Sequence, residues 1–471
     1  MNISEFNINA RKVLDWIVKY FETIESYPVK SQVKPREIFD KLTDAPPYEG
    51  ENFNSIFEDF NKIIIPGISH WQSPNFFAYF PTNTSFPSIL AEMLSAALDL
   101  QCMKWETSPA ATELEEKVMN WLRDLIGLPP DFTGVIQDTA STSTLTALLT
   151  AREKFSDHKI NKSGFKNHLN FRVYASSEAH SSVEKAVKIS GIGSDNLVKI
   201  SVNSDFSVDT DDLKNKIKKD IANGYKPLFV VATLGTTGCI AIDSIKEVGN
   251  ICKENNIWFH VDAAYLGTAL ILPEYHYLIE GIENADSFVF NPHKWMFTNF
   301  DCSAYFIKNK SDLIKTFEMN PEYLKTQSDL LVNNYCDWGI PLGRRFRALK
   351  LWFVLRCFGV SGLQNKIREQ IEFGKIFYEK ISNESDFELL APRTANTICF
   401  RYKPADTNDL YELNALNEKL MNELNASGKI YISHTKLNDI YTLRMIIAQT
   451  NVTLSHVNAA FELILKSARS L

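Results

Sequence analysis

Ile257-Trp258-Phe259-His260-Val261-Asp262-Ala263-Ala264 is an apolar run that closes on a carboxylate. Ser287-Phe288-Val289-Phe290-Asn291-Pro292-His293-Lys294-Trp295 is a second, closing on an amine. Short, near-continuous apolar runs predict strands buried on both faces. Three more precede them, Phe171 to Tyr174, Leu197 to Ile200 and Leu228 to Val231, with helical periodicity near 181–190, 210–222 and 243–255 in between. Strand alternating with helix predicts a mostly parallel central sheet with helices on both faces. Such a sheet delivers the C-terminal ends of its strands to one crevice, where ligands bind.

Working outward, Pro87 suits the first position of a helix carrying Ile89, Leu90, Met93, Leu94, Ala97 and Leu98, and a second helix follows Ser108-Pro109. Residues 1–86 read as a helical arm, with Val13, Leu14, Ile17, Val18, Phe21 and Ile24 on one stripe and a second amphipathic run ending at Ile65-Pro66-Gly67. An arm of this size has too little core to stand alone. After about residue 350 come a long helix and strands near 397–402, 429–433 and 441–446. The expected organisation is an α/β chain with an arm (1–86), a large domain (87–350) and a small C-terminal α+β domain (351–471).

Composition narrows the class. The 471 residues are 45% hydrophobic, 12% aromatic and 23% charged, which argues against disorder. A net charge of -7 argues against a dedicated nucleic-acid binder. No stretch approaches the ~18 unbroken apolar residues of a membrane span, and the polar opening from Met1 to Ala10 shows no secretory signal. Seven scattered cysteines without a CxxC pair fit a reducing cytoplasm and no zinc site. The nine histidines form no HExxH or similar spacing, so no metal is expected.

The chemistry gathers at strand ends. A lysine at the mouth of a buried strand is desolvated and becomes a usable amine nucleophile. Lys294 holds that position and Asp262 ends a second strand. An aldehyde cofactor held as a lysine Schiff base, with an acid on its pyridinium nitrogen, is the pattern of pyridoxal 5'-phosphate sites. Ala263 and Ala264 leave room for a flat ring. Asp138-Thr139-Ala140-Ser141-Thr142 opens a helix, which is either an anion site or an ordinary N-cap. Gly235-Thr236-Thr237-Gly238 is a second hydroxyl-rich strand exit, and His180 is placed either to stack on the ring or to serve structure.

Asn291 to Trp295, followed by Asn299-Phe300-Asp301-Cys302-Ser303, resembles the cofactor-lysine signature of the group II pyridoxal-phosphate decarboxylases, in particular the aromatic-L-amino-acid decarboxylase branch. The resemblance extends over Ser73-Pro74, Phe76 to Thr82, Ser108-Pro109-Ala110, Thr112 to Glu115, Ala179 to Val183, His260 to Tyr265 and Pro341 to Phe346. It implies the aspartate aminotransferase-like fold type I and a homodimer with its active site at the subunit interface. It also implies that Lys294 carries the cofactor, Asp262 pairs with the pyridine nitrogen and His180 stacks on the ring. Thr139, Ala140 and Ser141, with Asn291 and His293, would hold the phosphate, and Thr237 and Ala264 would lie near the cofactor. Tyr79, Phe80, Pro81 and Thr82 would line the substrate side, together with Met103, Trp295 and Gly343.

Tyr323, in Pro321-Glu322-Tyr323-Leu324-Lys325, matches the family's mobile-loop tyrosine and is the expected proton donor, with the polar run from Lys325 to Tyr335 as a lid. The expected reaction is decarboxylation of tryptophan, 5-hydroxytryptophan, dopa or tyrosine to the arylalkylamine and CO2. Relatives that are oxidative aldehyde synthases usually replace the tyrosine or the histidine, and both are present here. Gly343 resembles the small residue of members that accept bulky rings. Gln101 and Met103 depart from the apolar or aromatic residues of animal members. Asp138 stands where many have glycine, which suits a bound phosphate only if its carboxylate caps the helix and points away.

Overall fold

The structure, a computed structural model, describes residues 1–165, 170–319 and 331–471. The chain forms two compact units, one of residues 1–81, 372–390 and 396–471, the other of 82–371 with 391–395.

The second unit is built on seven strands: β1 (Thr133–Gln137), β2 (Phe171–Ser176), β3 (Leu197–Ile200), β4 (Lys226–Thr233), β5 (Trp258–Asp262), β6 (Ser287–Phe290) and β7 (Ser303–Ile307). They lie in the order β1-β7-β6-β5-β4-β2-β3. Strands β3, β2, β4, β5 and β6 run parallel, and β7 is antiparallel to both β6 and β1. The mostly parallel α/β sheet is therefore as expected. Strands β1 and β7 had no counterpart in the sequence reading.

Both faces are covered. The helices Ala140–Lys154, Ser182–Ile189 and Lys310–Phe317 bury Ala147, Leu148, Val183, Val187 and Leu313 against Phe229, Val231, Trp258, Val289, Tyr305 and Ile307. The alternate residues Val230, Phe259, Val261 and Phe288 are equally buried on the opposite face, where the helices Thr210–Ala222 and Ile245–Asn255 pack. Caps start these helices where the sequence supplies them. Asp209 accepts from Asp211 N and Asp212 N, Ser244 accepts from Glu247 N, and Thr139 accepts from Thr142 N.

The first unit carries an antiparallel sheet, β8 (Phe387–Leu389), β9 (Thr397–Tyr402), β10 (Ser433–Leu437) and β11 (Ile440–Ile446), in the order β10-β11-β9-β8. The strand expected near 429–433 thus begins where that range ends. Asn438 and Asp439, with φ of 49° and 66°, make the tight left-handed turn that joins β10 to β11. Helices Leu410–Ala426 and Leu454–Ala468 close a core of Phe400, Leu420, Leu424, Leu443, Met445, Val457 and Ile464.

Two amphipathic helices keep their apolar stripes uncovered. In Ile3–Glu22, which starts with a capping box of Asn2 and Glu5, no residue is buried, and Phe6, Leu14 and Val18 are exposed. In Phe86–Leu98, Phe86, Leu90, Met93, Leu94 and Leu98 are exposed. Among the described residues no helix is long and apolar enough to cross a membrane.

Candidate active site

The C-terminal ends of β5 and β6 are laced together. Ala263 N donates to Val289 O at 2.9 Å, and Asn291 N donates to Ala264 O at 3.0 Å. Asp262, only 4% exposed, accepts from Ala264 N at 3.0 Å through Oδ1. Beyond β6 a single helical turn, Pro292–Trp295, carries Lys294. Trp295 is fully enclosed, stacked on Tyr265 at 5.1 Å, and its Nε1 donates to Gln370.

His293 is buried and clamped to Cys302. Its N donates to Cys302 O at 3.2 Å, and its Nδ1 accepts from Cys302 N at 3.0 Å. Burial, with Lys294 adding to it, pushes the imidazole pKa down to about 3. The ring is thus neutral and bears its proton on Nε2, which makes that atom a hydrogen-bond donor. Asn83 N holds the same turn through His293 O at 3.0 Å. Asn291 is 3% exposed, and its Oδ1 has no hydrogen-bond partner among the described residues. A buried amide in that condition is costly unless something else meets it.

The helix Ala140–Lys154 opens at the same edge of the sheet, because β1 runs in the direction of β5 and β6. Thr139 is its N-cap, Ala140 is buried and Ser141 is exposed. Backbone N–H groups and hydroxyls gathered there favour an anion. Ser143, not anticipated from sequence, donates to Thr139 O at 3.2 Å and lies 3.4 Å from Ser303 Oγ. Asp138 is turned to local use, its Oδ1 accepting from Thr139 N at 2.6 Å. Its charge also acts on Arg347, which binds Asp301 bidentately at 2.9 and 3.1 Å.

His180 is exposed after β2, and its Nδ1 accepts from Ser182 N at 3.2 Å. Its pKa is lowered by partial withdrawal from water, with Asp262 opposing and Lys294 adding to the shift. One imidazole therefore feels the carboxylate and the amine together, so the three groups share one site. Thr237 is exposed at the β4 exit. That turn is held by Asp243, fully buried, which accepts from Thr233 N and Val208 N at 2.7 Å each and has its pKa raised by burial to about 6.

Met103 and Gly343 belong to two segments that run together. Cys336 N donates to Met103 O, Cys102 N donates to Arg344 O, and Arg344 N donates to Gln101 Oε1 at 2.7 Å. Thr82 begins the second unit, whereas Tyr79, Phe80 and Pro81 belong to the first, where the Tyr79 hydroxyl meets that of Tyr431 at 3.0 Å. Tyr323 and the first part of the expected lid lie outside the described residues.

The donor set suits a phosphorylated, flat, cationic aldehyde. It offers a helix N-terminus and a neutral N–H donor for the phosphate, a carboxylate for a ring nitrogen, an imidazole for the ring face and an amine for the aldehyde. Comparison with known proteins agrees. The pyridoxal-dependent decarboxylase conserved domain matches residues 35–403. The aromatic-L-amino-acid decarboxylase of Bos taurus is 42% identical over 487 residues, covering 100% of this chain and 97% of that protein. The structure of Oryza sativa TDC with PLP and tryptamine superposes with a TM-score of 0.97 at 33% identity, covering 100% of this chain and 99% of that one. Rhodiola rosea 4-hydroxyphenylacetaldehyde synthase does so with a TM-score of 0.93 at 34% identity, covering 100% and 99%. Fold, cofactor chemistry and full-length similarity converge, and the chain belongs to the pyridoxal-dependent decarboxylases.

Proposed function

We propose that this enzyme removes the α-carboxylate of an aromatic L-amino acid, releasing CO2 and the arylalkylamine, with tryptophan, 5-hydroxytryptophan or dopa preferred over histidine. The observation that carries the reading is that Asp262 and Lys294 stand at the C-terminal ends of the adjacent parallel strands β5 and β6, with His180 within electrostatic reach of both. Bound there, pyridoxal phosphate supplies an electron sink for the pair left behind when the carboxylate departs.

The residues divide the remaining work. Lys294 Nζ would hold the cofactor through its aldehyde. Asp262 keeps the ring nitrogen protonated, and His180 covers one ring face. The N-terminus of Ala140–Lys154, with Thr139, Ser141 and the Nε2–H of His293, holds the phosphate, and Asn291 closes that end. Thr237 and Ala264 flank the ring. Tyr323 is assigned the proton delivered to Cα. Tyr79, Phe80, Pro81, Thr82, Met103, Trp295 and Gly343 are assigned to the substrate side.

The uncovered stripes of Ile3–Glu22 and Phe86–Leu98 support a homodimer that buries them, since apolar faces of this extent mark association surfaces. The arm of residues 1–86 is assigned to the partner's surface, and the location to the cytoplasm. Likeness to an aldehyde synthase favours one second reading, in which oxygen intercepts the reaction and aldehyde, ammonia and peroxide leave instead of amine. Retention of His180 and Tyr323 favours the decarboxylase.

The test incubates the pyridoxal-loaded protein with tryptophan, 5-hydroxytryptophan, dopa, tyrosine, phenylalanine and histidine, measuring amine, aldehyde and CO2. Amine equal to CO2, lost by more than about 10⁴-fold in Lys294→Ala, is expected. Aldehyde with peroxide would replace the proposal by the second reading. Turnover of histidine alone would refute the aromatic assignment.

A further inference from the structure

His260 lies two residues before Asp262 on β5, so both side chains point to one face of the sheet, the face on which Ala140–Lys154 packs. Its ring joins two elements. Nδ1 is 2.9 Å from Ser287 Oγ on β6, and Nε2 is 3.4 Å from Thr144 Oγ1 on the helix. Ser287 Oγ also accepts from Trp258 Nε1 at 2.9 Å. Trp258 is 1% exposed, and Ser287, His260 and Thr144 are fully buried.

The chemistry of the groups limits which of them donate. An indole N–H can only donate, so Ser287 receives it and has one proton of its own to give. Burial lowers the His260 pKa to about 4, with Asp262 opposing, so the ring is neutral. A neutral imidazole donates at one nitrogen and accepts at the other. Trp258 therefore donates to Ser287, and the neutral His260 ring bridges Ser287 and Thr144, with the Tyr305 hydroxyl beside Ser287.

The placement gives this relay a use. Thr144 is one helical turn, about 5.4 Å, beyond Ala140. His260 is one two-residue repeat, about 6.6 Å, before Asp262. The Thr144–His260 contact is therefore a rung one step beneath the span from the helix N-terminus to the Asp262 carboxylate.

We infer that the Trp258–Ser287–His260–Thr144 relay is a positioning device: it fixes the separation between the anion-holding helix N-terminus and Asp262, and thereby sets the affinity for pyridoxal phosphate. The inference rests on the assignment of the phosphate to that helix made above.

The test uses Thr144→Val, Thr144→Ser and His260→Phe in the full chain. Pyridoxal phosphate is titrated into apoenzyme by absorbance, apo and holo melting temperatures are recorded, and the His260 tautomer is read from ring ¹⁵N shifts. Thr144→Val and His260→Phe should weaken cofactor binding about tenfold and narrow the gap between apo and holo melting temperatures. Thr144→Ser, which keeps the hydroxyl, should restore both. Equal loss of apo and holo stability with unchanged cofactor affinity would reduce the relay to core packing and overturn the inference. A doubly protonated ring would overturn the neutral bridge on which the inference rests, and this readout needs no variant to fold. Absence of aromatic decarboxylation with these cofactor effects intact would defeat the substrate reading and leave the relay standing.

Discussion

Removing the carboxylate of Glu115 should be one of the most damaging single changes open to this chain, because two buried groups depend on it. Glu115 and Arg344 are 3% and 8% exposed. Glu115 Oε1 accepts from Arg344 Nη2 at 2.6 Å and from Ile136 N at 2.8 Å, while the same Nη2 donates to Ile136 O at 2.8 Å. Strand β1 lies at the edge of its sheet, so the two side chains occupy the outward N–H and C=O of Ile136 as a neighbouring strand would. Glu115→Ala leaves a buried guanidinium without its counter-charge and a buried N–H without an acceptor, which sets the cost at about 3–5 kcal/mol. Glu115→Gln keeps an acceptor for Ile136 N and loses only the charge, for about 1.5–3 kcal/mol. Urea unfolding of the two variants, followed by circular dichroism, measures both. A cost below about 1 kcal/mol for Glu115→Ala, or equal costs for Ala and Gln, would refute the reasoning.

Acid should weaken the fold through its buried histidines. His260 and His293, lowered to about 4 and about 3, refuse protons that the unfolded chain binds below about 6.5, so their contribution is complete above pH 6.5 and lost as pH falls through the window below it. Asp243, raised to about 6, acts in the opposite sense between about 6 and 3.8. The net loss from pH 7 to pH 5 is about 2–3 kcal/mol. Urea midpoints at the two pH values check this, and a midpoint that rises toward pH 5 would contradict it. Leu94→Lys, placed on the uncovered stripe of Phe86–Leu98, should shift the proposed dimer toward monomer in sedimentation velocity while leaving the far-ultraviolet spectrum unchanged.

What the sequence reveals follows from how each element is buried. Strands β4 to β6 are legible because both faces are covered and their residues are nearly all apolar, whereas β2 and β3 show through shorter apolar runs broken by Arg172 and Lys199. Strand β1, Thr133-Gly134-Val135-Ile136-Gln137, carries a glycine and a polar end and escapes a search for apolar runs. Strand β10 is misplaced because only Ser433 and Leu437 are buried within it, while Ile430 and Ile432 just before it are buried and apolar. Lys294 and Asp262 are legible as strand ends. The contacts of His293 with Asn83 and Cys302, and of Ser143 with Ser303, join residues distant in sequence, and no local pattern announces them. His260 was within reach, since period-two alternation puts it on the face of Asp262.

The hydrogen bond from Arg344 N to Gln101 has a consequence for how this enzyme can diverge. A Cβ placed on Gly343 would lie 3.0 Å from Gln101 Nε2, whose amide is held by the Arg344 N–H. Any side chain at 343 therefore meets a neighbour that cannot swing aside without giving up a bond. Mutations at the two positions are ordered in time. Shortening residue 101 first opens the way to a larger residue at 343, whereas the reverse order passes through a strained ancestor. A larger residue at 343 is thus accommodated with least strain where residue 101 is shortened.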